Sequence, residues 1–188
     1  MDTKIISLLI FTIVMTVTPG PNNMLLTISG TKYGYIKSTP FIIGIALGLI
    51  SQIILFSLGL NAVFEIFPLF NTIIKIIGFS YLIYISIKIF TTDSKVKVDS
   101  KIDKPLSIFK GIAFQYLNPK AYLMTLTAST LYPKLIVIII FYLIIPPLST
   151  SLWALFGSFI GKFINGDRGY VNKILGILTA FSAVLMIK

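Results

Sequence analysis

Polar and apolar positions separate along the chain into six long apolar runs, approximately Ile5 to Ile28, Phe41 to Ala62, Ile73 to Phe90, Ile108 to Thr130, Leu135 to Ile160 and Tyr170 to Ile187. Each has about the length that a helix needs to cross a bilayer. The last is the weakest: its strictly apolar part begins only at Ile174, so Lys173 is expected to snorkel. Runs four and five are joined by little more than Tyr132, Pro133 and Lys134, a tight hairpin. Only Thr91 to Pro105 (TTDSKVKVDSKIDKP) is hydrophilic throughout, without apolar periodicity. The pattern predicts an all-α integral membrane protein of six transmembrane helices. Residues 1–90 form a first three-helix repeat, 91–105 a cytoplasmic linker and 106–188 a second repeat. Three spans is an odd number, so the second repeat enters inverted, a layout common in secondary transporters.

Composition narrows the class. The chain of 188 residues is 56% hydrophobic and 12% charged, with a mean hydropathy of +0.95. A soluble domain of this size cannot hide so much apolar surface, so lipid is the expected solvent. There is no cysteine and no histidine, which removes thiolate chemistry, the usual general base and the commonest metal ligand. The net charge of +10 does not point to nucleic acid, because the lysines sit between apolar runs. Lys32, Lys37, Lys88, Lys95, Lys97, Lys101, Lys104, Lys110, Lys162, Arg168 and Lys173 fall on one side, and only Lys4, Lys75, Lys134 and Lys188 on the other. Positive-inside then puts both termini outside and loops one, three and five in the cytoplasm. The start Met-Asp-Thr-Lys is barely cationic and no small-x-small site follows, so run one reads as a retained span and not a signal peptide.

Two spans contain their own interruption. In run one, MTVTPGPNNM places Thr18 before Pro19, followed by Gly20, Pro21, Asn22 and Asn23. In run four, FQYLNPKAY places Asn118 before Pro119, with Gln115 upstream and Lys120 downstream. Thr and Asn are N-cap residues, proline suits the first helical position, and the residue before proline is driven from the helical region. Spans one and four therefore read as helices that stop and restart near the membrane midplane, at Pro19 and at Pro119. Each restart offers unpaired N–H groups and a positive dipole end to a carboxylate, and the carbonyls upstream suit an ammonium. A zwitterion, an amino acid, matches both. Thr18, Pro19, Gly20, Pro21, Asn22, Asn23, Gln115, Asn118, Pro119 and Lys120 are the candidate substrate-binding residues. The plainer reading is that the prolines are packing kinks.

Lys120 is the only cation deep in a span. Either it snorkels to the cytoplasmic surface, or it is a counter-charge for a substrate carboxylate, or it titrates. In the last case it is protonated when it holds substrate and sheds its proton when empty, with Glu65 as the rival proton carrier. The Gly44-x-x-x-Gly48 and Gly157-x-x-x-Gly161 spacings read as helix contacts, and small-residue faces of this kind permit a homodimer. Pro146 and Pro147 are expected to kink span five. Ser149, Ser151 and Trp153 either line the path or serve packing.

These stretches carry a resemblance. Thr16-Val17-Thr18-Pro19-Gly20-Pro21-Asn22-Asn23, Phe114-Gln115-Tyr116-Leu117-Asn118-Pro119-Lys120-Ala121, Ser149 to Gly157 and the Val171-Asn172-Lys173 entry resemble the lysine-exporter superfamily, in its homoserine/threonine-exporter branch. The likeness covers essentially the whole chain, which is somewhat short for the family, mainly at the Tyr132 to Lys134 hairpin. It implies inner-membrane export of amino acids, generally driven by the proton gradient. The STSLW region looks closest to members that export small neutral amino acids and their derivatives. The resemblance implies a transporter with substrate amino acid, protons and lipid as partners, without catalytic residues, bound metal or cofactor.

A divalent-cation exporter is the runner-up, since related branches move metals. Hard cations want several oxygen ligands, usually carboxylates, and no acid lies securely within a span. An intramembrane enzyme would need a nucleophile and base that are not visible. A passive pore would need rings of like residues.

Overall fold

The computed structural model describes residues 3–60, 68–91, 104–132, 134–163 and 169–187. Glu65 and the 92–103 part of the linker lie outside the described residues. Among the described residues the chain forms eight α-helices, one π-helical turn and no strand. They are α1 (Thr3–Val17), α2 (Pro21–Tyr33), α3 (Tyr35–Leu55) with a π-turn at Phe56–Leu60, α4 (Pro68–Phe90), α5 (Ile108–Leu117), α6 (Pro119–Leu131), α7 (Leu135–Phe163) and α8 (Gly169–Ile187). Every apolar run coincides with one of these helices or with a helix pair.

Tyr35–Gly59 and Leu135–Lys162 are each long and apolar enough to cross a membrane alone. α1 and α2 together make a third candidate span, bent by 51° at the break between them. α5 and α6 form a second interrupted pair, separated by Asn118 alone. Pro146 and Pro147 stand inside α7 without ending it.

Burial is distributed for lipid. Ile10, Ile43, Leu152 and Phe159 are exposed, while Thr12, Ser38, Gln52, Gln115, Asn118, Thr125 and Thr150 are buried. Large apolar side chains on the outside, with the polar ones drawn into an otherwise apolar core, are what a solvent unable to hydrogen-bond selects.

Two glycine seams bring helix backbones together. On the first, Gly30 of α2 faces Ala154 of α7, and Gly157 and Gly161 of α7 face Thr27 and Thr31 of α2. A methyl at any of these positions would strike backbone atoms of the opposite helix. The Thr31 hydroxyl donates to Gly157 O across this seam at 3.0 Å. On the second, Gly44 of α3 faces Ile108 and Gly111 of α5. The expected helix contacts are therefore present, but they are filled within one chain, and a second copy would have to use other surfaces.

Candidate functional site

The two interruptions meet in the middle of the bundle. At the first, α1 makes its last helical bond from Thr18 N to Val14 O, and α2 resumes at Pro21 with Gly20 in extended backbone as N-cap. Here the structure corrects the sequence reading. Thr18 and Pro19 stand upstream of the restart rather than at it, and Pro21, not Pro19, is the first helical residue. The Thr18 hydroxyl caps nothing ahead of it; it donates back to Val14 O at 2.8 Å.

The break leaves carbonyls that a continuous helix would have paired. Each is met by a side chain. Asn23 Nδ2 donates to Thr16 O (2.8 Å) and Thr18 O (2.9 Å). Trp153 Nε1, from α7, donates to Val17 O at 3.3 Å. Lys120 Nζ, from the start of α6, donates to Thr18 O (2.9 Å), Thr18 Oγ1 (2.8 Å) and Pro19 O (3.3 Å). Lys120 is half-buried, and these bonds point it into the break of the other pair.

The second interruption follows the sequence reading. Asn118 is extended, its Oδ1 accepts from Lys120 N at 3.1 Å, and Pro119 opens α6. Asn118 N donates to Gln115 O at 3.2 Å, and Asn118 O accepts from Tyr122 N at 3.0 Å.

A second link joins the breaks. Asn22 Nδ2 donates to Gln115 Oε1 (2.9 Å) and Gln115 Nε2 donates back to Asn22 Oδ1 (3.1 Å). Gln52 of α3 extends this link: its Nε2 donates to Gln115 O (2.9 Å) and its Oε1 accepts from Thr125 Oγ1 (3.2 Å). Sequence reasoning missed Gln52, although an amide near the middle of the apolar run from Phe41 to Ala62 was a usable signal.

Between the breaks lies a cavity of about 30 Å³. Gly20, Pro21, Asn22, Asn23, Asn118 and Lys120 line its polar side, and Met15, Ile45, Leu49 and Met124 its apolar side. Of the expected residues, Pro119 is buried at the head of α6 outside the lining, Gln115 touches the site through Asn22, and Thr18 and Pro19 contribute through Lys120. From α7, Pro146 and Thr150 reach the cavity. Ser149 Oγ is buried without a partner among the described residues, and Ser151 Oγ is met by Tyr35 OH at 3.2 Å. The donors and acceptors here are amides, hydroxyls, carbonyls and one ammonium. The two helix starts differ: Asn118 caps α6, whereas no side chain caps α2.

The profile of the LysE type translocators matches residues 13–188. The chain is 26% identical to a cysteine/O-acetylserine efflux protein of Escherichia coli (strain K12), over 93% of this chain and 92% of that protein. A protein of the same name from Shigella flexneri serotype 5b (strain 8401) is 27% identical, with the same coverage of both chains. No solved structure matches the chain.

Proposed function

The chain belongs to the LysE type translocators, and from that premise we propose that it exports small neutral amino acids or their derivatives. The transporter works by alternating access in the cytoplasmic membrane, as a proton antiporter. Its six spans form two inverted repeats, with both termini outside. Candidate substrates come from the names of the similar proteins, which are efflux proteins for cysteine and O-acetylserine, both small and neutral.

One observation carries the reading. An ammonium, that of Lys120, rests on oxygens of the broken first span, beside the uncapped start of α2, and both line one cavity. Oxygens that hold an ammonium and a helix start that favours a carboxylate are the two halves of an amino-acid site. The same observation disfavours the divalent-cation reading. The site's oxygens are uncharged, and its resident charge is positive, whereas a hard dication wants carboxylates.

Loading cells or vesicles with a panel of dipeptides, with and without the protein, tests this directly. Faster release of cysteine, serine, threonine or O-acetyl amino acids is expected. Equal release across the whole panel would remove the amino-acid reading. Topology has its own test, because the chain has no cysteine. An impermeant thiol reagent added outside should label Thr3→Cys and spare Thr91→Cys. The coupling is tested by Lys120→Arg, which keeps the charge but does not titrate. Loss of the part of export driven by an imposed pH gradient would make Lys120 the proton carrier. An unchanged gradient response would move the proton to Glu65 or to water.

A further inference from the structure

The acceptors around Lys120 match its donors one for one. The ammonium has three N–H bonds and meets three oxygens, Thr18 Oγ1, Thr18 O and Pro19 O, at 2.8, 2.9 and 3.3 Å. All three belong to residues between α1 and α2, where the helical ladder supplies no donor. All three bonds are made to the Nζ, so what the cradle recognises by hydrogen bonding is a primary ammonium. The stem lies along Gly20: a Cβ there would stand 3.0 Å from both Lys120 Cδ and Nζ. The cavity beside it, about 30 Å³, has room for about two waters and not for an amino acid. Lys120 is itself part of that cavity's wall.

We infer that the Thr18–Pro19 oxygen cradle is the subsite for the substrate's α-ammonium, and that Lys120 occupies it as a tethered stand-in which the substrate displaces. The inference rests on the export reading above and adds to it the amine subsite and the occupant of the empty carrier. The exchange leaves no bare charge at either end. Before it, the lysine ammonium has three acceptors. After it, the substrate ammonium has those acceptors, and the released Lys120 stands beside the substrate carboxylate at the start of α2. Each ammonium keeps hydrogen-bond partners throughout. Ligands with a primary ammonium can make the exchange. Quaternary ammonium compounds have the charge but no N–H to give, so the cradle rejects them.

Emptying the cradle tests this without transport. Trp153 is the chain's only tryptophan and bonds to Val17 O beside the cradle, so its fluorescence reports on the break. Full-length Lys120→Ala in lipid nanodiscs is titrated with methylammonium and with tetramethylammonium at constant ionic strength. Methylammonium should give a saturable fluorescence change and a raised thermal midpoint, and tetramethylammonium should bind at least roughly tenfold more weakly. The unsubstituted protein should not respond over that range, because its own tethered ammonium holds the site at high effective concentration. Lys120→Met, which keeps the stem, gives the same comparison if the alanine variant does not fold. A folded variant that ignores methylammonium, or one that responds equally to both cations, overturns the inference, as does an equal response from the unsubstituted protein. Amino-acid export is read separately. Loss of export without a methylammonium response rejects the cradle and leaves the export reading. A methylammonium response in a protein that exports no amino acid does the reverse.

Discussion

The two interrupted helix pairs solve the same backbone problem by different means. The break between α5 and α6 is one residue long and is capped mostly from within: Asn118 bonds to Gln115 O, Lys120 N and Tyr122 N, all within four residues, and Gln52 of α3 adds one remote donor to Gln115 O. The break between α1 and α2 is three residues long and has two remote partners. Trp153 comes from α7 and Lys120 from α6, and only Asn23 is local. A kink capped mostly from within depends less on its neighbours. A kink whose carbonyls are held from other helices changes when those helices move, or when a ligand takes over a partner's place. In the reading proposed above, the second break aims Lys120 and the first receives it.

The largest effect is expected at the residue that joins them. Lys120→Ala should lower export by roughly 100-fold, the scale for losing one partner of a hydrogen-bonded charge pair. Transport of a labelled amino acid at matched expression measures it. A loss below about threefold would mean that α6 aims nothing of consequence at the first break.

Stability separates the breaks next. Asn23→Ala leaves Thr16 O without its donor and Thr18 O with Lys120 alone, and should destabilise by roughly 2–4 kcal/mol. Asn118→Ala removes an ordinary helix cap and should cost about 1 kcal/mol. Denaturation midpoints in matched lipid give both values. Equal losses would erase the distinction between a tertiary and a mostly local break.

That distinction also explains what could be read from the sequence. The helices were legible because apolar runs separated by short polar stretches leave few alternatives. The second break was legible to the residue, since Asn-Pro carries its own cap. The first was legible as a break but misplaced. Pro19 and Pro21 can each open a helix, and local rules do not choose between them. The choice accompanies contacts from α6 and α7, which no local pattern contains. The α2–α7 and α3–α5 seams were visible as glycine spacings, but not which helix each would meet. Lys120 was legible as an anomaly, yet its destination, the carbonyls of Thr18 and Pro19, depends on tertiary structure alone.

The restart at Pro21 changes what is needed to heal the first break. Pro19→Ala with Gly20→Ala is not enough, since Pro21 would still interrupt the ladder. Adding Pro21→Ala removes every local obstacle to a continuous helix, each proline being worth about 3 kcal/mol against helix. The triple variant should stay in the membrane, gain up to a few kcal/mol locally, and export poorly because its cradle has been drawn into the ladder. The matching change at the second break, Pro119→Ala, should cost much less export, because Asn118 still caps α6. Comparable export from both variants would return the first break to the status of a packing kink.

The smallest effect is expected at Trp153, and it bears on where the first break faces. Val17, Thr18 and Pro19 are all exposed, although they sit in the interior of a candidate span. If that surface met lipid, removing the indole donor would leave Val17 O with no partner, at several kcal/mol. If it meets a water-filled vestibule, water replaces the indole and the loss is that of one ordinary hydrogen bond, about 0.5–1.5 kcal/mol. Trp153→Phe removes the donor while keeping an aromatic ring against Phe156, whose present contact is edge-on at 6.5 Å. The polar character of the break favours the vestibule, because exposed irregular backbone does not persist against hydrocarbon. The denaturation midpoint should therefore fall only slightly, and export should persist. A loss of about 3 kcal/mol or more would place Val17 O against lipid, and the route to the cradle would then have to open from another side of the cavity.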